Sequence, residues 1–147
     1  MVLREQLHDQ RAYLVDIGEL HKNRFSLYLE NELGSVEIID RHGKATASNF
    51  DYEMDRPTYI RVEFSNVPNS SFISVFVNNR EVVHLQNEQS LDVQLNFSSM
   101  IVGTDFEREG FARFELMEQY IHGKTLNVWE RIDMYRYFLK KTAIFPG

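Results

Sequence analysis

The sequence predicts a mainly β fold: a single antiparallel β-sandwich, immunoglobulin-like or jelly-roll, with a barrel as second choice. Three observations carry that expectation. Apolar and polar residues alternate through runs of about five to eight residues. Turn residues separate those runs at short intervals. Phe and Tyr number 11 and 7 in 147 residues, and aromatic side chains suit half-buried pleated surfaces.

The elements follow in order. Residues 1–11 read as a short helix, with Val2, Leu3 and Leu7 on one stripe, or as an arm that docks on a neighbour. Ala12 to Ile17 and Arg24 to Glu30 read as strands, the second alternating Phe25, Leu27, Leu29 with Ser26, Tyr28, Glu30. Gly34 precedes a strand over Ser35 to Asp40. Ala45 to Pro57 has no clean period and reads as the longest loop, the kind of segment that often carries function.

Thr58 to Phe64 is a strand with Ile60, Val62 and Phe64 inward and Tyr59, Arg61 and Glu63 outward. Phe72 to Gln86 then forms a hairpin around Asn78-Asn79, because asparagine tolerates the positive φ of tight turns. A two-residue loop pairs Val77 with Arg80 and Val75 with Val82. A four-residue loop pairs Val77 with Val82 instead. The strictest alternation runs from Ser90 to Phe97, which suits sheets with one wet and one dry face. After a loop over 98–110, Phe111 to Leu116 places Ala112, Phe114 and Leu116 inward.

The segment 125–140 reads two ways. As a helix it has Asn127 as cap, Glu130 to close a capping box, and a stripe of Val128, Ile132, Tyr135 and Leu139. As a strand it has the β propensity of Val, Trp, Ile and three further aromatics, which tips the reading that way. The chain as a whole, 1–147, is expected to be one domain.

Composition limits the function classes. A net charge of −6 argues against a general nucleic-acid binder. The charge is uneven: residues 124–147 carry +3, leaving −9 on the residues before them. No apolar run nears the roughly 20 residues of a membrane span. There is no cysteine, which removes disulfides and thiolate sites and suits the cytoplasm or a virion assembled there. The N-terminus is too polar for a secretory signal.

Local catalytic motifs are missing. The five histidines are scattered without metal-ligand spacing, and no nucleophile-elbow or phosphate-loop pattern occurs. Asp51, Glu53 and Asp55 alternate in the manner of calcium-loop ligands, although the EF-hand pattern fails at Arg56 and Val62. That makes them the candidate metal group. In the strand reading Trp129, Arg131, Tyr135 and Tyr137 share a face, and aromatics beside an arginine can stack on sugar rings. They are the candidate ligand or interface group.

The expected function is a non-enzymatic structural or assembly module that docks on copies of itself or other subunits, such as a virion or tail component. A carbohydrate-binding module using those aromatics, with or without calcium, is the alternative. A hydrolase with a distributed site is third.

Overall fold

The computed structural model describes residues 1–4, 11–65, 72–86, 93, 95, 99–105, 107, 112–116, 119 and 126–144. Ten strands and one helix occur among them: β1 (Val2–Leu3), β2 (Ala12–Gly18), β3 (Arg24–Glu30), β4 (Leu33–Ile39), β5 (Ala45–Phe50), β6 (Ile60–Ser65), β7 (Phe72–Val77), β8 (Arg80–Gln86), β9 (Met100–Val102), β10 (Phe114–Glu115) and α1 (Val128–Ile144). All strand pairings are antiparallel. One sheet runs β5-β4-β3-β2-β9, a second runs β6-β7-β8, and β1 pairs with β10. The architecture is sandwich-like and mainly β, with strand order following chain order through β2–β5 and again through β6–β8.

Two asparagine-led turns set the hairpins. Asn78 and Asn79 take φ of 51° and 66°, the left-handed pair of a two-residue hairpin loop. Val77 accordingly faces Arg80. An irregularity between Val75 and Phe76 then shifts the register, so that Val75 meets Val83 rather than Val82. The shift keeps both Val75 and Val83 buried. Asn31 and Glu32 make the same kind of turn, at φ of 51° and 65°, between β3 and β4. That turn starts β4 at Leu33, two residues earlier than a break at Gly34 would.

Gly34 instead lies within β4, directly opposite Phe50 of β5. The ring of Phe50 occupies the space where a side chain would stand: an added Cβ would lie 2.3 Å from its Cε2 and Cζ. Glycine here makes room for an aromatic cross-strand neighbour.

The core lies between the two larger sheets. Leu14, Phe25, Leu27, Val36, Ile38 and Phe50 of the five-stranded sheet pack with Ile73, Val75, Val77 and Val83 of the three-stranded one. Burying each such side chain stabilises the fold by about 1.5–3 kcal/mol. Val93 and the half-buried Leu95 join the same cluster. The rest of the 90–97 strand expectation lies largely outside the described residues.

Several expectations are corrected. Ala45–Phe50 is a strand rather than loop; small polar residues suit its place at the sheet edge, where one side stays wet. Met100–Val102, read as loop, pairs with β2. Val2–Leu3 is extended, not helical: Leu3 is fully buried in the chain's own core and β1 pairs with β10. Residues 5–10 of the expected arm lie outside the described residues. Leu116, expected inward, is exposed because it follows the end of β10. The segment after Asn127 is a helix, since reciprocal capping outweighs β propensity there.

Replacing Gly34 with Ala is expected to destabilise the protein by about 1–3 kcal/mol, because the buried Phe50 ring must move. Chemical denaturation measures this, and an unchanged midpoint would show that the ring yields freely.

Candidate functional site

The three-stranded sheet buries residues on both of its faces. Ile60 and Phe64 of β6 point with Val77 and Ile73 to the core, as their pairing requires, whereas Val62, also expected inward, is 38% exposed. The opposite face carries Arg61 and Glu63 of β6 beside Phe76 and Ser74 of β7. Arg61 and Glu63, expected to face water, are only 9% and 8% exposed. On this face α1 reaches the sheet, with Arg131 at Glu63.

The helix begins with a reciprocal cap. Glu130 N–H donates to Asn127 Oδ1 at 2.9 Å, and Asn127 N–H donates to Glu130 Oε1 at 3.2 Å. This satisfies two N-terminal amides and fixes where the helix starts. Arg131 and Tyr135, four residues apart, then share one side with Phe138. Tyr135 and Phe138 pack on Tyr59, with ring centroids 5.6 and 5.0 Å away. Burial raises the pKa of the Tyr59 phenol, against the opposing charge of Arg61.

The polar anchor is Glu63. Its Oε1 lies 3.0 Å from Arg131 Nε and 3.3 Å from Arg61 Nε. Arg131 also donates to Glu63 Oε2 at 3.4 Å and to the Leu126 carbonyl at 3.0 Å. Arg61 sits 4.0 Å over the Phe76 ring and donates to Asn79 Oδ1 at 3.2 Å. Arg61 Nε and Glu63 Oε1 are close enough to attract but not aligned to hydrogen bond. The pairing is electrostatic there rather than directional.

The four aromatic and arginine candidates do not form one surface. Arg131 and Tyr135 face the sheet, while Trp129 is 76% exposed. Tyr137 lies further round, exposed, with its ring edge-on to Phe138 at 5.5 Å and Lys141 Nζ 5.7 Å from its centroid. A strand would have aligned them; successive helical residues turn by about 100°. The stripe expected to be buried in a helix is also displaced, since Val128 is 63% and Leu139 49% exposed.

Asp51, Glu53 and Asp55 are all exposed in the loop after β5. Glu53 pairs with Arg56 at 3.1 Å and Asp55 with Arg4 at 2.9 Å. Among the described residues, no group of three or more histidines and carboxylates stands ready to hold a metal ion. The calcium reading therefore has no assembled donor set there.

One cluster on the same sheet face resembles catalytic machinery in composition. Ser74 Oγ lies 2.7 Å from His84 Nδ1, and Glu81 Oε1 lies 3.6 Å from that same nitrogen. A relay needs the nucleophile on one ring nitrogen and the acid on the other. Here both compete for Nδ1, and Ser74 is buried. The arrangement anchors a cross-strand pair and stacks His84 on Phe72, 5.9 Å between centroids.

Tyr59, Arg61 and Glu63 are the site residues that the alternation pattern assigned to solvent. The available signal was β7 itself, whose Phe72 and Phe76 make its second face apolar as well. Comparison with protein-family models, curated proteins and solved structures gave no match to this chain. Among the described residues, no helix is long and apolar enough to cross a membrane.

Trp129 is the chain's single tryptophan, so its fluorescence reports this position alone. At low protein concentration its emission should be that of a water-exposed indole, readily quenched by iodide. A blue-shifted, quencher-resistant emission under those conditions would place the indole inside the fold.

Proposed function

We propose that this protein is a non-enzymatic assembly module that docks on a second copy of itself through the outward side of α1. The observation that carries this reading is the presentation of Trp129 and Val128 by a helix whose other side is held on the sheet. Tryptophan is the residue type most enriched among those that dominate interface energies. At about 100° per residue, Val128, Trp129, Ile132, Arg136 and Leu139 fall within one broad stripe along α1.

Charge selects the occupant. Arg136 within that stripe and Lys140 beside it are exposed, in a segment of net +3, whereas the preceding residues carry −9. Exposed Glu19, Glu32, Asp51, Glu53 and Asp55 contribute to that acidic body. The basic, apolar helix of one copy therefore complements the strands and loops of another. Such a contact joins unlike surfaces, the heterologous kind that closes into rings or extends into filaments. Sugar stacking is less well supported, because Trp129, Tyr135 and Tyr137 lie on different sides of the helix.

Light scattering after size exclusion tests the proposal. The native chain should gain mass with concentration, and Trp129→Asp should weaken association by about 30-fold or more, the loss of a strong hot spot. Raised salt should weaken association too. A native chain that stays monomeric, or a Trp129→Asp chain with unchanged association, would overturn it.

A further inference from the structure

At one end of the five-stranded sheet, two loops meet. Residues 19–23 join β2 to β3, and residues 40–44 join β4 to β5. Because β3 lies between β2 and β4, both connections emerge at the same end. Between them lies an open cleft of about 360 Å³, whose walls include Glu19, His21, Lys22, Arg41 and His42. That is room for a small ligand.

Basic groups collect here although the chain is acidic overall. Lys22, Arg41 and Lys44 are joined by His21 and His42, and all five are exposed. The opposing acids are Glu19 and Asp40, and both have local partners. Glu19 Oε2 accepts from Asn23 Nδ2 at 3.4 Å. Asp40 Oδ1 accepts from the backbone N–H groups of His42 and Lys44 at 2.8 and 2.9 Å. Those bonds, the one from Lys44 foremost, lower the pKa of Asp40, and the charge of Lys44 acts on it in the same direction.

The loops are tied together and tied down. Asn23 N–H donates to the Asp40 carbonyl at 3.2 Å. Gly43 takes φ of 84°, and a Cβ there would sit 3.6 Å from the His21 carbonyl oxygen. Arg24 donates to the Leu20 carbonyl at 3.0 Å while its own guanidinium grips the buried Asp16. The cleft walls thus rest on the sheet's most buried ion pair, which favours preorganisation.

Arg41 Nε donates to His42 Nε2 at 3.2 Å, a contact that requires an uncharged ring accepting at that nitrogen. An oxyanion in the cleft would accept from the guanidinium of Arg41.

We propose that this cleft is an oxyanion site for a small phosphorylated or sulfated molecule, with Lys22 and Arg41 supplying its charge. The site is separate from the docking face of α1, and neither proposal depends on the other. Nothing in it requires a covalent step.

Amide chemical-shift titrations of the full chain with inorganic sulfate and, separately, inorganic phosphate provide the test. Both should shift amides of residues 19–23 and 41–44 together. Arg41→Gln should weaken binding about fivefold or more. Arg80→Gln, beside the β7–β8 turn and outside the cleft lining, should leave it unchanged. A preference for phosphate or for sulfate identifies which ester the site takes. Absence of shifts, shifts scattered over all basic residues, or equal losses for Arg41→Gln and Arg80→Gln would each overturn the proposal.

Discussion

A carboxylate shared by two guanidinium groups governs the outer layer of this protein. Glu63 is 8% exposed and meets Arg61 from its own strand and Arg131 from α1. Removing three charged groups from water is costly, and Arg61 Nε and Glu63 Oε1 do not recover that cost through an aligned hydrogen bond. The trio is therefore weak as a source of stability. Its value lies in position: it gives α1 one place on the sheet where its arginine can be matched. Tyr59, Tyr135 and Phe138 supply apolar contact around that anchor. With one side of the helix held, the side bearing Trp129 is turned to solvent.

The five-stranded sheet solves a related problem differently. Its face opposite the core carries Asp16, Arg24 and Ser26, all buried. Arg24 holds Asp16 through two hydrogen bonds of 2.8 and 2.6 Å, and Ser26 adds a third at 2.9 Å. This pair is bidentate and well satisfied, in contrast to the trio around Glu63. Desolvation acts to lower the pKa of Arg24, but the bonds and charge of Asp16 outweigh it and raise it. Arg11 then lies 4.6 Å over the ring of Tyr28 while pairing with Glu30 at 3.1 Å. Burial raises the pKa of that phenol. One sheet is organised by an internal clamp, the other by a helix reaching across it.

Much of this fold is legible in the residues. The alternation of Phe25, Leu27 and Leu29 defines β3 with its observed bounds, and Asn78-Asn79 marks the central turn. Register is less legible, because the shift between Val75 and Phe76 depends on burying Val75 and Val83 together. Period-two reading assumes one wet face, so it sent Arg61 and Glu63 to solvent. The second face of β7, with Phe72 and Phe76, carried the contrary signal. For α1, composition favoured a strand, whereas two hydrogen bonds between Asn127 and Glu130 decide the matter locally. Once the segment is helical, the grouping of Trp129, Arg131, Tyr135 and Tyr137 dissolves. Its arginine becomes an anchor and its tryptophan a presented surface.

The central claim is that Glu63 holds α1 through Arg131. A double-mutant cycle of Glu63→Gln and Arg131→Gln, read by urea denaturation, measures that coupling with both side chains kept near their native size. A coupling energy of about 1–3 kcal/mol is predicted for groups in direct charged contact. Losses that add to within about 0.5 kcal/mol would mean the two residues act independently, and would contradict the anchoring of the helix.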